Sequence, residues 1–142
     1  MTTEEQSNIE VAKAGYAAFA RGDIAGVIAM LDENVEWSMP GGPALPSSGI
    51  KKGVEGVLRF FTVVNETWAF EAFEPREYIA SGDRVCALGY YRARARKTGR
   101  FAESDWAMVW RIRDGKCVQL QEYTDTAVLG AALVGASAGA VG

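Results

Sequence analysis

The stretch 101-FAESDWAMVWRIRDGKCVQLQEYTDT-126 decides how this chain folds. Its first half alternates as a strand does, placing Trp106, Met108, Trp110 and Ile112 on one face and turning Asp105 away from them. Its second half places Val118, Leu120, Glu122 and Thr124 on one face and Gln119, Gln121, Tyr123 and Asp125 on the other. Between the halves stands Asp114-Gly115, a dipeptide suited to the positive φ angles of a tight hairpin. The stretch therefore reads as two antiparallel strands whose apolar faces meet in one interior, with a single carboxylate, Glu122, among the apolar side chains.

The same pattern extends toward the N-terminus. Strands are predicted at roughly 68–80, 83–97, 101–113 and 116–125, joined by turns at Ser81-Gly82-Asp83, Lys97-Thr98-Gly99-Arg100 and Asp114-Gly115. Ahead of them the period changes. Ile9, Ala12, Tyr16, Phe19 and Ala20 recur at helical spacing over 4–21. Gly22 closes that helix, and Asp23 caps a second one with Ile24, Val27, Ile28 and Leu31 on its apolar stripe. A short strand is predicted at Val35–Met39, then a Pro/Gly/Ser loop at 40–49 of the kind that rims a site, then a third helix at about 52–65 carrying Val54, Val57, Leu58 and Phe61 inward. Helices first and a strand meander second predict an α+β domain, a conical half-barrel of curved antiparallel sheet wrapped around three N-terminal helices. One domain is expected over 1–132, followed by an Ala/Gly-rich flexible tail at 133–142.

Composition narrows the functions available. The 142 residues are 49% hydrophobic and 23% charged, with a net charge of -3, so the chain offers no electrostatic footprint for nucleic acid. Its one basic cluster, Arg92, Arg94, Arg96, Lys97 and Arg100, is answered by Glu103 and Asp105 and reads as a solvated strand face. The acidic start MTTEEQSNIE is unlike a signal peptide, and no run approaches the roughly 18 apolar residues that span a bilayer. A cytoplasmic, membrane-free protein is expected, with Cys86 and Cys117 as reduced strand residues. There is no histidine. Serine–histidine and cysteine–histidine catalysis and imidazole metal sites are therefore excluded, and proton chemistry falls to Asp, Glu, Tyr, Cys or Lys.

The run Tyr16-Ala-Ala-Phe19-Ala-Arg-Gly22-Asp23, then Asn34-Val35-Glu36-Trp37 and Pro40-Gly41, resembles the start of SnoaL-like domains. The far end agrees in Gly82-Asp83-Arg84-Val85, Trp110-Arg111-Ile112-Arg113-Asp114-Gly115-Lys116 and Glu122-Tyr123-Thr124-Asp125-Thr126. These domains belong to the nuclear transport factor two-like superfamily, with ketosteroid isomerases, limonene epoxide hydrolases and polyketide cyclases. The resemblance covers about residues 8–132 and implies a cone enclosing a pocket, a homodimer through the convex sheet face, a small hydrophobic or cyclic organic ligand, and no cofactor or metal.

Glu122 is the leading candidate for acid or base. Its apolar strand face should desolvate it and raise its pKa, and the resemblance puts it where epoxide hydrolases and some polyketide cyclases keep a working aspartate. The other reading is a polar group at the pocket mouth, solvated or paired with an arginine. Tyr91 and Tyr16 are its candidate catalytic partners, and Phe19, Trp37, Met39, Val57, Phe61, Trp106, Met108 and Leu120 are candidates to bind the ligand. By resemblance, the two carboxylates of a ketosteroid isomerase fall at Met39 and Met108, so steroid-type isomerisation is not expected. The arginine and aspartate of the epoxide hydrolases fall at Gly89 and Tyr91. Two functions stay open: a cofactor-free cyclase, isomerase or hydrolase, and a non-catalytic binding module for a hydrophobic metabolite.

Overall fold

A computed structural model of the chain describes the backbone of residues 1–141 and the side chains of residues 1–134. Helices α1 (Thr3–Ala20) and α2 (Ile24–Ala29) come first, then strands β1 (Leu31–Met39) and β2 (Gly49–Lys52) and helix α3 (Gly53–Thr67). Strands β3 (Trp68–Ser81), β4 (Arg84–Ala95), β5 (Phe101–Arg113) and β6 (Lys116–Thr124) follow, and α4 (Thr126–Val141) ends the order. The fold is the expected α+β arrangement. The expected tail at 133–142 falls mostly on residues whose side chains lie outside the described ones.

The sheet has six strands in the order β2-β1-β6-β5-β4-β3 and is mixed. The meander β3 to β6 is antiparallel throughout, but β1 lies parallel to β6, with Trp37 beside Leu120 and Ser38 beside Gln121. A purely antiparallel sheet was expected, because hairpin turns announce only neighbours in sequence; a parallel pair needs a long crossover and leaves no local mark. Two further boundaries move. Leu31, assigned to the second helical stripe, begins β1 with its side chain buried. Between the expected loop and the expected third helix stands β2, which takes Gly49 from the one and Lys52 from the other and is too short to show a period.

Local chemistry explains the turns. Asp114 and Gly115 take φ of 51° and 76°, as a tight hairpin of this twist requires. Asp23 caps α2 by accepting the Gly26 N–H at 2.8 Å, and Asp125 accepts the Val128 N–H at 3.2 Å in the first turn of α4. Strand β3 bends at two bulges, between Phe70 and Ala72 and between Pro75 and Glu77, which curves the sheet toward the helices.

The inner face of the curve is the core. On β4 every second residue from Val85 to Ala95 is buried, and α1 packs onto this face through Ile9, Ala12 and Tyr16. The outer face carries the basic cluster. Arg92 there pairs with Glu71 at 2.9 Å and Glu103 at 3.4 Å, both exposed contacts of small energetic weight. Asp105, expected to answer the arginines, makes no ion pair among the described residues and sits in register opposite Tyr90.

Candidate active site

The inner sheet face, α1 and α3 close around one aromatic slot. Counted out to its open mouth the space is about 830 Å³. Half of the residues that line it are aromatic, and such a wall suits flat, apolar molecules. Of the residues proposed from sequence, Tyr16, Phe19, Trp37, Met39, Phe61, Tyr91, Met108, Leu120 and Glu122 line it. Val57 and Trp106 do not. Val57 is wholly buried between α3 and the core, and Trp106 lies behind the wall with its ring stacked on Phe73 at 5.3 Å between centroids. Both sit on the predicted apolar faces, but sequence alternation assigns a face and not a depth.

The lining residues missed from sequence include Phe60, Phe73 and Leu129. Phe73 could have been found from its place in β3; Leu129 could not, since it comes from α4, beyond the last predicted strand. Phe19, Phe61, Trp68 and Phe70 also line a wider vestibule outside the slot, where Asn65, Glu71 and Arg96 supply polar groups.

Glu122 is the one carboxylate among the slot-lining residues. Strand β6 delivers it between Leu120 and Thr124, opposite Met108 of β5. It keeps part of its surface, on the side that lines the slot, yet protein encloses it deeply enough for loss of water to dominate. Desolvation pushes its pKa up to about 7, against a smaller opposing pull from the Tyr91 hydroxyl. No lysine or arginine pairs with it among the described residues.

Two buried tyrosines of the slot interact with this carboxyl, Tyr91 by a hydrogen bond and Tyr16 through charge alone. Tyr91 is buried on β4, and burial together with the Glu122 charge raises its pKa, so it stays protonated at any ordinary pH. Its hydroxyl donates to Thr124 Oγ1 at 2.8 Å. Tyr16 comes from α1 and accepts the Trp110 indole N–H at 2.8 Å, with the two rings edge to face at 5.3 Å. Burial holds its pKa well above the ordinary value, with the Glu122 charge adding to the shift. Gly15 makes this contact possible: a Cβ there would stand 2.7 Å from the Trp110 ring.

Three of the positions where the resemblance put other chemistry are given over to packing. Met39 and Met108 both line the slot as apolar wall. Gly89 has no room for a side chain, since a Cβ would meet Trp106 Cζ2 at 2.3 Å and the Glu74 carbonyl at 2.6 Å. Trp106 thus fills the space an arginine at this position would need.

The family model for the SnoaL-like domain matches residues 12–120. Similar solved structures include an NTF2-like protein from Burkholderia xenovorans LB400, 32% identical with a TM-score of 0.83 over 91% of this chain and 97% of that one. An NTF2-like protein from Burkholderia pseudomallei K96243 is likewise 32% identical, with a TM-score of 0.83 over 90% and 98%. TerC, co-crystallized with polyporic acid, is 31% identical with a TM-score of 0.82 over 89% and 98%. Among curated proteins, an uncharacterized protein of Mycobacterium tuberculosis is 26% identical over 119 residues, 84% of this chain and 89% of that one.

Proposed function

The chain belongs to the SnoaL-like domain family, and on that premise we propose that it is a cofactor-independent enzyme that moves a proton on a flat, cyclic, largely apolar organic molecule. The observation that carries the proposal is Glu122, a carboxyl with its pKa near 7 in a slot otherwise walled by rings and aliphatic side chains. Such a group exchanges protons readily at neutral pH in either direction. Ionised, it takes a proton from carbon beside a substrate carbonyl, and the electron pair moves onto the carbonyl oxygen. The Tyr16 hydroxyl accepts from Trp110 and keeps its own proton for that oxygen. The protonated Glu122 then returns the proton at another carbon, which completes an isomerisation. In a cyclisation the enolate carbon instead bonds to a second carbonyl carbon of the same molecule, the electron pair of that C=O moves onto its oxygen, and Glu122 gives the proton to the alkoxide. Epoxide hydrolysis fits less well, because Trp106 occupies the place of the arginine that reaction uses in the resembled enzymes. Polyporic acid in the relative TerC supports a ligand of this general kind.

A second reading has a specific observation behind it. Met39 and Met108 supply wall where the ketosteroid isomerases keep carboxylates, which suits a protein that only holds its ligand. The Tyr91 hydroxyl, a hydrogen-bonding partner of Glu122, favours the enzyme.

Binding is tested with the protein's own fluorescence, since Trp37 and Trp110 line the slot. Polyporic acid or anthraquinone is expected to quench it saturably. With a substrate in hand, turnover should climb as pH rises through about 7, where Glu122 becomes a base. A flat fluorescence response to both compounds, or turnover indifferent to pH between 5 and 9, would contradict the proposal.

A homodimer through the outer sheet face goes with this reading. Tyr90, Arg92, Arg94 and Gln119 lie half-buried there, Gln121 is exposed, and Tyr123 leaves 51% of its surface open. These side chains can bury area while keeping their polar ends satisfied. Light scattering at micromolar concentration is expected to give twice the 15.3 kDa of one chain. A mass of one chain refutes the dimer.

A further inference from the structure

The Tyr91 hydroxyl has one proton and two acceptors that compete for it. Thr124 Oγ1 takes it at 2.8 Å, and the Glu122 carboxyl is a second hydrogen-bonding partner of the same hydroxyl. Thr124 is itself held in a chain of hydroxyls that runs away from the slot. Its hydroxyl donates to Ser104 Oγ at 3.3 Å, and Ser104 donates to the Asp105 carbonyl at 2.7 Å while accepting the Asp125 N–H at 3.3 Å. The sheet builds this chain: Ser104 is the register partner of Tyr91 across β4 and β5, and Thr124 pairs with Trp106 across β5 and β6. Every hydroxyl in it donates outward, which leaves the Tyr91 oxygen able to accept.

We propose that Thr124, anchored by Ser104, is a positioning residue that draws the Tyr91 proton away from the slot, so that Tyr91 accepts from a protonated Glu122 and turns to donate only when Glu122 ionises. The proposal rests on the reading of Glu122 as the group that handles the proton, and it adds the reason both of its states are tolerated. With Glu122 protonated, its O–H donates to Tyr91, Tyr91 to Thr124, and Thr124 to Ser104. With Glu122 ionised, Tyr91 reverses toward the carboxylate, and Thr124 is free to donate to Tyr91. Neither state strands a buried hydrogen-bonding group, the condition under which a low-dielectric site switches charge at small cost. The other groups that face Glu122 do not supply this function. Tyr16 from α1 is tied to Trp110, β5 presents Met108, β1 presents Trp37 and Met39, and no cation is paired with the carboxyl among the described residues.

Without the Thr124 hydroxyl, the Tyr91 proton has only Glu122 to go to, and a permanent donor favours the carboxylate. Thr124→Val, which keeps shape, is therefore expected to lower the Glu122 pKa by about one unit, a roughly tenfold loss of proton affinity. Thr124→Ser should restore the wild-type value. Ser104→Ala should shift it in the same direction by less, and it serves equally if the valine variant folds poorly. In a Tyr91→Phe background, Thr124→Val should have no further effect, because Thr124 acts only through Tyr91. The readout is the side-chain carboxyl titration by NMR, with the pH profile of turnover beside it. A raised wild-type value that neither Thr124→Val nor Ser104→Ala moves, or a shift that persists without the Tyr91 hydroxyl, overturns this role and leaves the proposed function standing. A wild-type Glu122 that titrates in the ordinary carboxylate range overturns both.

Discussion

Glu122→Gln is expected to lower turnover by roughly a hundredfold to ten-thousandfold, the range over which a positioned acid or base works. Glutamine keeps the shape and the capacity to hydrogen-bond Tyr91 but can neither take nor return a proton. Ligand affinity should change little, since the slot is held open by rings that the substitution does not touch. The same variant should show a pH-dependent gain in stability. The folded chain holds the Glu122 proton up to about pH 7, whereas an ordinary glutamate releases it near 4.5. Below pH 4.5 both states are protonated and the group costs nothing. Between 4.5 and 7 the unfolded chain ionises first, so folding stability falls as pH rises, and above 7 the penalty is constant. Its ceiling is about 3 kcal/mol, and the surface that Glu122 keeps lowers it further. Melting curves of wild type and Glu122→Gln should thus run close together at pH 4 and separate at pH 8, with the variant higher. A variant that retains full turnover, or that loses stability at pH 8, would show that Glu122 is an ordinary solvated or paired group.

Gly89→Ala is expected to be among the most destabilising single-methyl additions in the chain. The new Cβ would lie 2.3 Å from Trp106 Cζ2 and 2.6 Å from the Glu74 carbonyl, and neither is free to give. The indole is 3% exposed and held between Phe73 and Tyr16, with centroids 5.3 and 5.5 Å away, and the carbonyl belongs to the neighbouring strand. Relief requires β3 to move off β4 or the indole to leave its place. We expect a loss of about 3 kcal/mol, at the upper end of overpacking costs. That corresponds to a fall in Tm of roughly 6–12 °C. Trp106→Phe should recover part of the loss by withdrawing the second ring. An unchanged Tm for Gly89→Ala would mean that Trp106 does not fill this space, and the objection to an arginine there would lapse.

The features legible in the sequence are those that repeat locally. Period-two alternation gave the faces of β5 and of β6 from Leu120 onward, and with them the inward placement of Glu122, Met108 and Trp110; a bulge opposite Arg111 and Ile112 breaks it earlier in β6, so that Cys117 is buried where Val118 was expected. Asp23 was recognisable as a cap because it stands between a terminating glycine and an apolar run. Contacts between distant segments were not legible. The parallel pairing of Trp37 with Leu120 joins residues far apart in the chain, and nothing in either strand names the other. The depth of a residue behind a wall was equally hidden, which is why Val57 and Trp106 were expected at the slot and stand behind it. Gly89 reads as a weak point in a strand until the ring of Trp106 is seen beside it. The hydroxyl chain of Tyr91, Thr124 and Ser104 needs three strands in register before it exists at all.

The proposed function needs one property of the slot, a carboxyl whose proton is shared evenly with water near neutrality. Following the Glu122 side-chain carboxyl carbon by NMR from pH 3 to pH 9 in the unmodified protein measures it without a substrate. A midpoint near 7 is the predicted result. A midpoint at or below the ordinary 4.5 would contradict the account, because Glu122 would then be a solvated or paired carboxylate and no group in the slot would be poised to move a proton.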